Sequence, residues 1–192
     1  MIDETENFEP ESQQDWRKWL ELNHEKCDAI WLILHKKGSK TPNLNWSEAV
    51  DEALCFGWID STKKLLDKDR YIQYFCRRKP NSTWSKVNKE KVDKLIQNNL
   101  MTEAGFTSIE TAKQNGSWTM LDEVEALVIP GDLKEELAIH KGSMEYFESL
   151  SKSSKKILLY WVVSAKRPEI RRKRIVEIAE NASKNLKPKQ FR

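Results

Sequence analysis

Ala53-Leu54-Cys55-Phe56-Gly57-Trp58-Ile59-Asp60-Ser61-Thr62-Lys63-Lys64-Leu65-Leu66-Asp67-Lys68-Asp69-Arg70-Tyr71-Ile72-Gln73-Tyr74-Phe75-Cys76-Arg77 is the stretch on which the fold turns. Gly57 closes a helix arriving from Trp46, because glycine adopts the left-handed conformation at helix ends. Trp58 to Leu65 and Arg70 to Arg77 flank the polar turn Leu66-Asp67-Lys68-Asp69 and predict a β-hairpin, although that turn lacks the usual glycine. Over Leu54 to Asn88 aromatic residues alternate with Asp, Arg, Ser and Asn, a pattern that suits a lined polar pocket better than a plain core.

Upstream, Trp46, Ala49, Val50, Ala53 and Phe56 share one helical face, and Glu48, Asp51 and Cys55 the opposite one. Ile30 to Lys36 is apolar on both faces, as a central strand is. Glu11 to Asn23 reads as a helix capped by Ser12, and Gly38 to Asn43 as a loop. A three-stranded sheet with helices makes this part α+β.

Downstream the period becomes helical. Ser82 or Ser85 caps a helix running to about Asn99, and another from Thr102 stops at Asn115-Gly116. Ser117 to Pro130 has the mixed composition of a linker. Asp132 to His140, Ser143 to Leu150, Ser151 to Ala165 and Pro168 to Leu186 then read as helices, with a frayed tail over Lys187 to Arg192. The expected organisation is an α+β domain over 1–116, a linker over 117–130 and a helical module over 131–192.

Charge and cysteine usage narrow the function. The 192 residues carry a formal charge of +3, but Ser151 to Arg192 holds thirteen Lys/Arg against three Asp/Glu, a net +10 that leaves −7 on the first 150. Such parts attract each other, and the tail attracts outside anions. Cys27, Cys55 and Cys76 form no CxxC and no metal spacing with His24, His35 or His140, and read as reduced thiols. The start Met1-Ile2-Asp3-Glu4-Thr5-Glu6 is acidic where a signal peptide is basic then apolar, and no apolar run approaches a membrane span. We expect a cytoplasmic protein without a membrane span, cofactor or metal.

Candidate site residues come from pattern breaks. At about 100° per residue, Arg171 falls about 30° from the centre of the stripe formed by Ile175, Ile178, Ala179 and Ala182. A guanidinium there needs an acceptor, and Asp60, Glu48 or Asp51 is the expected carboxylate. Asn88 and Ser85 fall on the stripe of Val92, Leu95 and Ile96, so the Asn88 amide needs partners. The basic strand end Arg77-Arg78-Lys79 runs through Pro80 into Ser82-Thr83-Trp84-Ser85, setting cations beside free helix amides as phosphate and carboxylate sites do, with Trp84 as a stacking surface. The run Lys166 to Arg174 spreads its charge over several helix faces and lacks a DNA- or RNA-binding motif, which argues against nucleic acid.

Three blocks then carry a resemblance. Glu48-Ala49-Val50-Asp51-Glu52-Ala53-Leu54-Cys55-Phe56-Gly57-Trp58-Ile59-Asp60-Ser61, the segment Arg77-x-Lys79-Pro80-x-Ser82-x-Trp84-Ser85-x-x-Asn88, and Ala165-Lys166-Arg167-Pro168-Glu169-x-Arg171-x-x-Arg174-Ile175 resemble, in order, the signature blocks of the YdeI/OmdA family. The resemblance runs from about Trp16 to the C-terminus, with a C-terminal module from Ile129 onward. Ile170 stands where the family pattern has threonine, and Cys76 where it has proline. The resemblance implies a bacterial protein of a family labelled for bacteriocin protection or OmpD association.

The reading that unites these signals is a small anionic ligand or a partner bound at the domain junction by Asp60, Arg77, Lys79, Ser82, Trp84, Asn88, Arg171 and Arg174. The alternatives are a small enzyme using Asp60 or Asp51 as acid/base with Arg77 and Arg171 as anion clamps, and a stress-protection module acting through protein contacts alone. Oligomeric state is left open.

Overall fold

The computed structural model describes residues 6–39 and 42–192. Lys40 and Thr41 of the expected 38–43 loop, and the first five residues, lie outside it. The chain divides into two compact units, 1–118 and 119–192. The first holds β1 (Asn7–Phe8), α1 (Gln13–Asn23), β2 (Ala29–His35), α2 (Trp46–Cys55), β3 (Trp58–Leu65), β4 (Arg70–Arg77), α3 (Lys86–Gln97) and α4 (Glu103–Gln114).

Among the described residues the sheet has four strands in the order β1-β2-β4-β3 rather than three. The added β1 runs parallel to β2 and is two residues long, too short to show any alternation in sequence. β2 is central as expected, with Ile30, Leu32 and Leu34 paired to Phe75, Gln73 and Tyr71 of antiparallel β4. That face carries the first core, where Trp16 and Leu20 of α1 are fully buried and the Trp16 ring lies 5.5 Å from Phe75.

The β3–β4 hairpin turns without glycine because Asp67 supplies the missing restraint. Its carboxylate accepts from the Asp69 and Arg70 amides at 2.9 and 2.7 Å and from Arg70 Nε at 2.8 Å. This local side-chain turn replaces the left-handed residue a tight hairpin otherwise requires.

Helix α2 begins with a capping box between Asn45 and Glu48. Its faces differ from the expected ones: Trp46 is 45% exposed, while Cys55 and Glu52 are buried. The reason is α1, which crosses the supposedly polar side. Gln13 and Arg17 reach the Glu52 carboxylate at 2.7 and 2.8 Å, and the Trp16 indole N–H donates to the Ala49 carbonyl. Gly57 then ends the helix with φ +70°.

Helix α4 meets that helix end at backbone level. Thr102 donates to the Cys55 carbonyl from both its amide (3.1 Å) and its hydroxyl (2.6 Å). A Cβ on Gly105 would lie 2.4 Å from the Cys55 oxygen, and one on Gly57 2.9 Å from the Ala104 oxygen, so only glycine permits this approach.

The second unit is helical: α5 (Asp122–Glu125), α6 (Gly131–Ile139), α7 (Ser143–Ser149), α8 (Lys152–Val163), α9 (Pro168–Ala182) and a final 3-10 turn, Lys189–Phe191. Leu133, Leu137, Phe147, Leu159, Val162 and Ile178 anchor its own core. The stretch expected as a linker is shared out, with Trp118 against the first core and Leu121, Val124, Leu127 and Ile129 against the second. Helix α9 stops four residues short of Leu186, and Asn185 takes a left-handed φ of 55°. The tail is not frayed: Phe191 meets Trp161 edge-on at 5.3 Å, and Arg192 donates to the Asn181 side chain.

Candidate functional site

Strand β4 closes on Arg77 and is followed by Arg78 and Lys79, three basic residues whose side chains take three different courses. Arg77 turns onto the chain leaving α1, where Nε donates to the Cys27 carbonyl at 3.0 Å and Nη2 to the Glu25 carbonyl, with Asp28 at 3.6 Å. Lys79 is exposed. Arg78 lies between them and folds inward over the Trp84 ring, 3.7 Å from its centroid.

Arg78 is the electrostatic anomaly of the first unit. Nη1 donates to the Thr83 carbonyl at 3.0 Å and to Ser82 Oγ at 3.3 Å, while Nε and Nη2 are buried without a hydrogen-bond partner. Among the described residues none forms an ion pair with it. Burial pulls this guanidinium down to about 10, with Asp60 opposing only across space. The Trp84 indole N–H beneath is likewise buried and unpartnered. Unsatisfied buried groups are rare in folded proteins and call for an explanation.

Arg77 and Arg78 line a cavity of about 770 Å³. Its floor is the glycine contact between Gly57 and Ala104, and its walls include Phe56, Trp58 and the first turn of α4. Thr102 makes no side-chain cap there, and Glu103 stands in the first turn of α4. A helix start of this kind favours negative charge.

The other predicted residues fall elsewhere. Asp60 accepts from the Trp46 indole at 2.8 Å and from Gln73 at 3.0 Å. Asp51 is paired with Lys91 at 2.7 Å. Ser82 does not cap a helix, because its hydroxyl donates to the Lys79 carbonyl. Ser85 is the cap, accepting from the backbone amide of the half-buried Asn88.

Arg171 finds neither Asp60, Glu48 nor Asp51. It forms a bidentate pair with Asp132 inside the second unit, at 2.7 and 2.9 Å, and this pairing holds the Asp132 carboxyl below its ordinary value. The side chains are 31% and 44% exposed, so this is a partly solvated pair and not a buried one. Arg174 donates to the Trp161 carbonyl at 2.5 Å and to Ser164 Oγ at 3.2 Å. Arg77 and Arg171 therefore each have protein acceptors, and neither is a free clamp.

Arg78 is the residue that sequence reasoning passed over. Set between two other cations, it looks like part of a solvated basic run. The available signal was Trp84 six positions on, a stacking partner that a guanidinium accepts more readily than an ammonium.

Comparison with known proteins supplies the family. A model described as a domain of unknown function (DUF8412) matches residues 8–108, more than half of the chain. The chain belongs to the DUF8412 family. Residues 126–185 match a second model, described as bacteriocin-protection, YdeI or OmpD-associated. The YdeI/OmdA resemblance thus holds over the C-terminal block, while the Glu48 and Arg77 blocks lie inside the DUF8412 match. No curated protein and no solved structure matches the chain. Among the described residues, no helix of this DUF8412 protein is long and apolar enough to cross a membrane.

Proposed function

We propose that the DUF8412 part of the chain is a binding module for a small anion, phosphate or carboxylate, received in the cavity beside Arg78. The observation that carries this reading is Arg78, a guanidinium among the residues lining that cavity, which pairs with no carboxylate among the described residues and whose Nε and Nη2 are buried without a partner. A desolvated cation without a counter-charge is costly, and a ligand anion supplies that charge. Three unbridged cysteines suit the cytoplasm, where we place the protein. A protective role, read from the label of the OmdA part, is the proposed setting.

Thermal unfolding with phosphate, sulfate and short carboxylates, against chloride at matched ionic strength, tests the reading. A ligand that binds the folded state raises the melting temperature. The shift should be present in the wild type, be lost in Arg78→Met and survive in Lys79→Ala. No shift in the wild type, or a full shift in Arg78→Met, overturns it.

A further inference from the structure

The cavity is not uniformly positive. Glu21 and Glu25 from the end of α1, and Glu103 from the start of α4, line it together with Arg77 and Arg78. Glu21 is 3.5 Å from Arg17. Glu25, its side chain 85% exposed, lies 3.9 Å from His24, and neither it nor the exposed Glu103 pairs with a Lys or Arg among the described residues. One cavity thus combines a guanidinium lacking a carboxylate with two carboxylates, Glu25 and Glu103, that pair with no Lys or Arg among the described residues.

A simple dianion answers only half of this arrangement. Set against Arg78 it gains a counter-charge, but it meets repulsion from acids bordering the same space, which costs specificity for a ligand of one sign. A ligand carrying both a carboxylate and an ammonium answers both. The lining also includes Phe56 and Trp58, with Thr107 and Ser108, which can take an apolar or polar substituent.

We infer that the ligand of this cavity is zwitterionic, of the α-amino acid class, with its carboxylate toward Arg78 and its ammonium toward Glu25 and Glu103. The inference rests on the anion-binding reading above and names the ligand class of that site.

Calorimetric titration of the full chain with each standard amino acid, and with the 2-hydroxy acids lactate, phenyllactate and 2-hydroxyglutarate, separates the two. At least one of alanine, phenylalanine and glutamate should bind about tenfold or more tightly than its hydroxy counterpart. Glu25→Gln combined with Glu103→Gln should erase that preference and leave hydroxy-acid binding in place. Arg78→Met should weaken both series, and Arg78→Lys, which keeps the charge but not the planar fork, should weaken them less. Hydroxy acids binding as well as amino acids would overturn the zwitterion and leave the anion site standing. Binding by no amino acid overturns it as well, and phosphate-induced stabilisation lost in Arg78→Met then shows that the anion site survives. Binding of phenethylamine as tight as that of phenylalanine, indifferent to Arg78→Met, would overturn both.

Discussion

At the scale of single residues, two arginines exchange the importance their sequence positions suggest. Arg171 lies near an apolar stripe but meets Asp132 in partly solvated surroundings, whereas Arg17, unremarked in sequence, neutralises the buried Glu52. Removing one partner of a buried pair leaves an uncompensated charge. Arg17→Ala is therefore expected to cost roughly 3–5 kcal/mol and Arg171→Ala about 1 kcal/mol or less, read by urea denaturation; equal losses would refute this ordering. Cys55, also beneath α1, gives a pH signature. Burial, with Glu52 close by, pushes its thiol up to about 11 from an ordinary 9.0, so the unfolded chain ionises first. Its stabilising contribution is complete below pH 9.0 and is lost as the pH rises toward about 11. The stability difference between wild type and Cys55→Ala should shrink over that interval and stay constant between pH 6 and 8. A wheel places a side chain on a face but not against a neighbour, which is why Cys55 and Arg171 depart from their expected surroundings.

At the scale of elements, the hairpin was legible to its boundaries, since the polar turn Leu66 to Asp69 separates two strand-length runs, of which Arg70–Arg77 alternates in burial. The capping of α3 was ambiguous, because Ser82 and Ser85 both precede an apolar period. The structure assigns the cap to Ser85, which accepts from the Asn88 amide at 3.2 Å, while Ser82 closes a turn with Lys79. Ser85→Ala should cost about 0.5–2 kcal/mol, and Ser82→Ala should stay within about 0.5 kcal/mol. Comparable thermal shifts in the two variants would contradict this assignment. The cavity itself was illegible from sequence. Its floor depends on Gly57 and Gly105 letting α4 touch the end of α2, and two glycines 48 positions apart announce no contact.

At the scale of the molecule, each unit has a core of its own, and the second contains eleven buried apolar residues in 74 positions. We expect residues 119–192, expressed alone, to be helical and to melt cooperatively by circular dichroism; a gradual, noncooperative loss of signal would show that this core is insufficient. The α+β and helical halves were readable because their hydrophobic periods differ, whereas the short β1 and α5 carry too few residues to display a period. One further property follows from how the sheet ends. At its β3 edge the register slips between Asp60 and Lys63, and Lys63 and Lys64 stand beside the slip, over Tyr71 and Trp31 respectively. An irregular, charged border is a poor template for another strand. The aromatic wealth of the strands, which favours fibril growth when a straight border is left open, thus meets at this border a charged irregularity that disfavours pairing with another molecule.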